Sequence, residues 1–208
     1  MKKTVLSTFL VFFAISLVSA QHQDFRKDHE NFFRIGAKGG VNINKIQGQS
    51  YKQGFRYNFQ VGAFTQFNFS DVFGLQPEVN FVQSRSEFTN DATSVYDDLF
   101  YGDTQGKATL NYLEIPVLLN INVGPSKRVK LQFGPSYGAL LKAKVDSLQT
   151  NQSIYKDNEW SAMGGLWLQL PLINMGARYK LGLTNLNAID DRQTWKNQAI
   201  QIFVGITL

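Results

Sequence analysis

The segment GFRYNFQVGAFTQFNFS, Gly54 to Ser70, alternates along its whole length. Phe55, Tyr57, Phe59, Val61, Ala63, Thr65, Phe67 and Phe69 hold one parity, and Arg56, Asn58, Gln60, Gly62, Gln66, Asn68 and Ser70 hold nearly all of the other. A period of two is the signature of a β-strand with one apolar and one polar face. Seven further segments alternate in the same way, at Phe33 to Ile43, Phe73 to Arg85, Leu110 to Val123, Val129 to Val145, Trp160 to Leu170, Leu172 to Thr184 and Gln198 to Leu208. Each reaches the about 9 to 11 residues that a tilted strand needs to cross a bilayer. Eight strands are expected.

The connections predict how these strands are joined. Asn44 to Gly54, Ser86 to Thr109, Asp146 to Glu159 and Asn185 to Asn197 are long and polar, whereas Ser70 to Val72, Gly124 to Arg128 and the join at Pro171 are short. Alternation of long and short links is the habit of up-and-down outer-membrane barrels, with loops outside and turns in the periplasm. An even strand number leaves both termini on the periplasmic side.

Which face meets water is a separate question, because a soluble lipocalin-like carrier would alternate in the same way. The apolar parity of the central segments carries no charge, while Lys38, Arg56, Glu78, Glu114, Lys130, Lys142, Arg178 and Lys180 take the other. Glycine separates the two readings. Gly36, Gly40, Gly62, Gly74, Gly134, Gly138, Gly165, Gly176, Gly182 and Gly205 share the polar parity, against Gly39 and Gly164 on the apolar one. Inside a narrow barrel that bias makes room for long charged neighbours; on a wet exterior it gains nothing. The aromatic bulk of the other parity would overfill eight strands, whose interior is only wide enough for side chains. The apolar face is therefore expected in lipid, with Phe69, Phe73 and Trp160 in interfacial girdles.

Composition adds the compartment. The opening MKKTVLSTFLVFFAISLVSAQ, with two lysines, an apolar run and small residues up to Ala20, reads as a cleaved export signal. The expected organisation is a signal at 1–20, a periplasmic tail at 21–32 and a β-barrel domain at 33–208. There is no cysteine, hence no disulfide framework and no Cys-ligated metal. Without Lys2 and Lys3, 19 of the 21 basic residues face 16 acidic ones, too mild an excess for a nucleic-acid partner.

Glu78 and Glu114 are the best pair of carboxylates, both inward on neighbouring strands. Such pairs do acid/base work when their pKa values are pushed apart. Buried charges also persist simply because they neutralise one another, and a lumen network of Lys38, Arg56, Glu78, Glu114, Arg178 and Lys180 is the reading preferred here. Both histidines, His22 and His29, fall in the tail, so no Ser and His pair is available at a barrel rim. The chain is expected to be non-enzymatic, without cofactor or metal. In the longest loop, Asp91, Asp97, Asp98 and Asp103 mix with Tyr96, Phe100 and Tyr101 in no EF-hand pattern. Tyr96, Asp97, Asp98, Phe100 and Tyr101 are the candidate contact surface for a protein partner.

Four motifs, IGAKGGVNIN at 35–44, GLQPEVNFVQS at 74–84, LNYLEIPVLLNI at 110–121 and LQFGPSYGALL at 131–141, resemble the PorT-type outer-membrane β-barrel family of Bacteroidota. The resemblance implies an eight-stranded barrel in a Gram-negative outer membrane and little about activity. The expected partners are outer-membrane lipid, the barrel insertion machinery and a protein at the outer loops, with the barrel a monomer. A structural or binding role is expected, with an accessory role in type IX secretion and gliding, a narrow porin and a periplasmic lipocalin-like carrier as the alternatives.

Overall fold

The computed structural model describes residues 31–47, 54–87, 107–124, 126–145, 155–188 and 194–208. The signal, most of the tail and the proposed contact residues Tyr96, Asp97, Asp98, Phe100 and Tyr101 lie outside the described residues. Eight strands form: β1 Phe33–Gln47, β2 Arg56–Asn68, β3 Phe73–Glu87, β4 Lys107–Val123, β5 Val129–Val145, β6 Asn158–Gln169, β7 Ile173–Gly182 and β8 Lys196–Thr207. Each pairs antiparallel with the next, and β8 returns to β1 to close an up-and-down barrel. Closure leaves no strand edge unpaired, the condition for sheet structure in hydrocarbon. No helix among the described residues is long and apolar enough to cross a membrane.

Side-chain direction follows the alternation. In β2, Tyr57, Phe59 and Val61 are exposed, while Asn58, Gln60, Gln66 and Asn68 are buried. The same holds in β8, where Ile200, Ile202, Val204 and Ile206 face out and Gln201 and Thr207 face in. A soluble protein hides such residues, so the outer surface is built for lipid. Phe32, Phe33, Phe67 and Phe69 touch one another at the short-turn end, with ring centroids 5.4 to 6.3 Å apart. Toward the other end Tyr137 and Trp160 pack edge to face at 5.2 Å. These are the two girdles that the strand-end aromatics predict.

One residue breaks the parity. Asn111 pairs with Lys142 but Tyr112 pairs with Leu140, so Leu141 is an extra residue in β5. A bulge of this kind puts two residues opposite one and reverses the alternation beyond it. Lys142, expected in the lumen, is thereby exposed on the outer face, as is Lys144. The strands are also uneven. β4 and β5 have 17 residues each and β3 has 15, whereas β7 has 10.

Candidate functional site in the barrel lumen

The inward residues of β1, β3 and β7 meet at Glu78. Its carboxylate accepts from Lys38 Nζ at 2.6 Å, from both terminal nitrogens of Arg178 at 2.8 Å, from Gln76 Nε2 at 2.6 Å and from Asn80 Nδ2 at 3.1 Å. Arg178 also donates to Gln132 Oε1 through Nε at 2.9 Å and a terminal nitrogen at 2.6 Å. A planar guanidinium with its donors spread over a carboxylate and an amide is the arrangement in which a buried arginine is tolerated.

A second cluster lies two residues further along β7. Lys180 Nζ donates to Glu114 at 2.8 Å and to Glu159 at 3.2 Å, and Gln201 and Asn197 donate to those two carboxylates at 3.1 and 3.3 Å. Glu78 and Glu114 thus have separate partners: Glu78 holds two cations and two amides, and Glu114 holds Lys180 and Gln201. Arg56 joins neither cluster. It stands at the mouth, 44% exposed, and reaches over to Glu87 at 2.5 Å. Glu159 takes its place in the lumen, a residue that alternation assigns to the end of a loop.

Between the ion clusters and the short turns lies an aromatic wedge. Phe64, Trp167 and Phe203 are buried together, with ring centroids 5.0 and 5.4 Å from Trp167. Lys38 and Arg178 stand over the Phe203 ring at 4.4 and 4.6 Å, a favourable place for a desolvated cation. These rings share the parity of the glycines, and that is the signal by which the sequence marks them. A Cβ on Gly36 would run into the Phe64 ring, and one on Gly176 into the Phe203 ring and the Leu166 carbonyl. Changing Gly176 to leucine is expected to cost about 1–3 kcal/mol, the usual cost of overpacking. Urea unfolding in vesicles measures it, and Ala177→Leu on the lipid side is the control expected to cost little.

An amide network fills the end next to the turns. Gln76 Oε1 accepts from Gln66, Asn120 and Gln132 at 2.7, 3.0 and 3.0 Å, while Gln169 accepts from the Trp167 indole at 2.8 Å and donates to Thr207 at 3.1 Å. On the loop side Asn44 donates to Ser84, and Asn58 to Asn44 at 2.6 Å. The mouth is then narrowed by Tyr155 and Trp195, 5.7 Å apart and buried, with Leu186 beside them. No group of three acidic or histidine side chains suited to a metal occurs among the described residues.

Similar proteins agree with this architecture. Ail, the attachment invasion locus protein of Yersinia pestis, solved with the heparin analogue sucrose octasulfate, is 13% identical at a TM-score of 0.52, covering 86% of this chain and 100% of Ail. The outer membrane protein OprG of Pseudomonas aeruginosa is 13% identical at a TM-score of 0.50, covering 84% of this chain and 95% of OprG. At that identity the likeness is one of fold. No curated protein matches the chain in sequence at a significant level. Residues 20–188 match the family described as outer membrane protein beta-barrel domain, which is most of the chain, and the chain belongs to that family.

Proposed function

We propose that this chain is a structural or binding protein of the Gram-negative outer membrane, exported by a cleaved signal, whose lumen is a plug and whose specificity resides in its outer loops. The observation that carries the reading is the filled interior: amide network, aromatic wedge and two ion clusters follow one another along the axis. A narrow porin would need that sequence interrupted. Pairing of Glu78 with Lys38 and Arg178, and of Glu114 with Lys180, suits charge balance in a plug, which supports a non-enzymatic role. An accessory role in a secretion assembly is the alternative finer reading and rests on analogy of fold, because the four PorT-like motifs imply the barrel and little about its activity.

Planar-bilayer recording of the reconstituted barrel tests the plug. Only brief, small events are expected, and large steady openings would overturn it. Deleting 91–106 tests the loops: heat-modifiable migration, the gel shift of a folded barrel, should persist while recovery of partner proteins from native membranes is lost. Identical recovery with and without that segment rules it out as the contact surface.

A further inference from the structure

The outer face of β3, β4 and β5 changes character along its length. Phe73, Ile121 and Leu131 form one row, Leu75, Leu119 and Phe133 another, and Phe81, Leu113 and Ala139 a later one. The next row is Gln83, Asn111 and Lys142, and beyond it come Arg85, Thr109 and Lys144, with Lys107 opposite Glu87. Phe73 to Phe81 is about the 9 to 11 residues that cross hydrocarbon, so the switch falls where the headgroup layer begins.

We propose that Arg85, Lys107, Lys142 and Lys144 form a binding face for phosphate-bearing lipid headgroups on the outside of the barrel, at its long-loop rim. This rests on the membrane-spanning reading of the fold. All four side chains are exposed. Lys142 and Lys144 are there because the Leu141 bulge turns them from lumen to lipid side. Arg85 and Lys144 stand two strands apart, about 10 Å, and Lys142 and Lys144 about 7 Å, spacings that a phosphorylated headgroup bridges. The arginine fork and the mobile ammonium groups are the donors that phosphate takes. The acid on this face, Glu87, is engaged by Arg56 at 2.5 Å. The short-turn rim differs: Lys127 is paired with Asp71 at 2.5 Å, and Arg34 and Arg128 are engaged in interactions of their own. None of the four patch cations is ion-paired among the described residues.

Trp160 supplies a reporter, because it pairs with Tyr137 on the lipid side, two rows of outward residues below Lys142. The barrel is placed in phosphatidylcholine vesicles, and quenching by brominated phosphatidic acid is compared with quenching by brominated phosphatidylcholine. The unaltered chain should prefer phosphatidic acid by about tenfold or more, since each cation at a membrane surface contributes a severalfold gain. The variant R85Q/K107Q/K142Q/K144Q should lose the preference, and K156Q/K196Q, at the same rim outside the patch, should keep it. Equal preference in the fourfold variant, or none in the unaltered chain, overturns the proposal. Inorganic phosphate that abolishes the preference at the lipid's own concentration, or a soluble polysulfate that does so, reassigns the face to free polyanions and overturns it as well. Insertion is read separately from heat-modifiable migration, so failure of the unaltered chain to insert refutes the membrane reading rather than the lipid site. Should the fourfold variant not insert, K142Q and K144Q alone must each lower the preference severalfold; unchanged values count against the proposal.

Discussion

Replacing Glu78 with leucine is expected to destabilise the folded barrel by about 3–5 kcal/mol, the cost of leaving buried partners unpaired. Lys38 and Arg178 would both remain inside, each having lost its carboxylate, and Gln76 and Asn80 would each lose an acceptor. The arithmetic reverses when the cations go too. In K38M/E78L/R178M no charge is stranded, and such apolar replacement of an ionic triad is often neutral, so most of the loss should be recovered. Urea unfolding in lipid vesicles, followed by tryptophan emission, measures both, with Trp167 reporting from beside Arg178. A triple variant as unstable as E78L would mean that the cluster's worth lies in its hydrogen bonds and packing rather than in charge balance.

Val61→Arg is the second large effect. Val61 is 52% exposed in the middle of β2, between Gly39 and Phe81 on its neighbours. If that surface meets hydrocarbon, a guanidinium there costs about 2–4 kcal/mol. Val61→Leu should be close to neutral. The same pair of substitutions at a water-exposed site would differ hardly at all, so the unfolding midpoints in vesicles test the lipid-facing assignment directly.

Strand number and facing were legible because the pleat gives every second side chain the same destination, and lipid and a polar lumen demand opposite chemistries. β5 is predicted to its ends, Val129–Val145, yet Lys142 within it is misplaced. Parity is counted one residue at a time, and a single inserted residue such as Leu141 resets it without leaving a hydrophobic signature. The lumen was legible as a collection of charges but not as a set of partnerships. Alternation says that Glu78, Glu114, Arg178 and Lys180 point inward; the tilt and stagger of the strands decide that Arg178 finds Glu78 and Lys180 finds Glu114. Glu159 and the rings Phe64, Trp167 and Phe203 were missed for different reasons. Glu159 sits at a strand boundary, the least certain feature of any sequence pattern. The rings look out of place on a polar parity until the glycines opposite them are recognised as their space.

Lys38, Glu78 and Arg178 come from β1, β3 and β7, and Lys180, Glu114 and Glu159 from β7, β4 and β6. The β6–β7 hairpin can pair Lys180 with Glu159, but Lys38, Glu78, Glu114 and Arg178 find their charge partners only on strands that are not chain neighbours, so a half-assembled sheet would carry naked arginine and glutamate toward the bilayer. Acquisition of the native state should accordingly be all-or-none, limited by the meeting of the most distant segments of the polypeptide, and kinetic traces of refolding should show no populated intermediate with only some hairpins inserted.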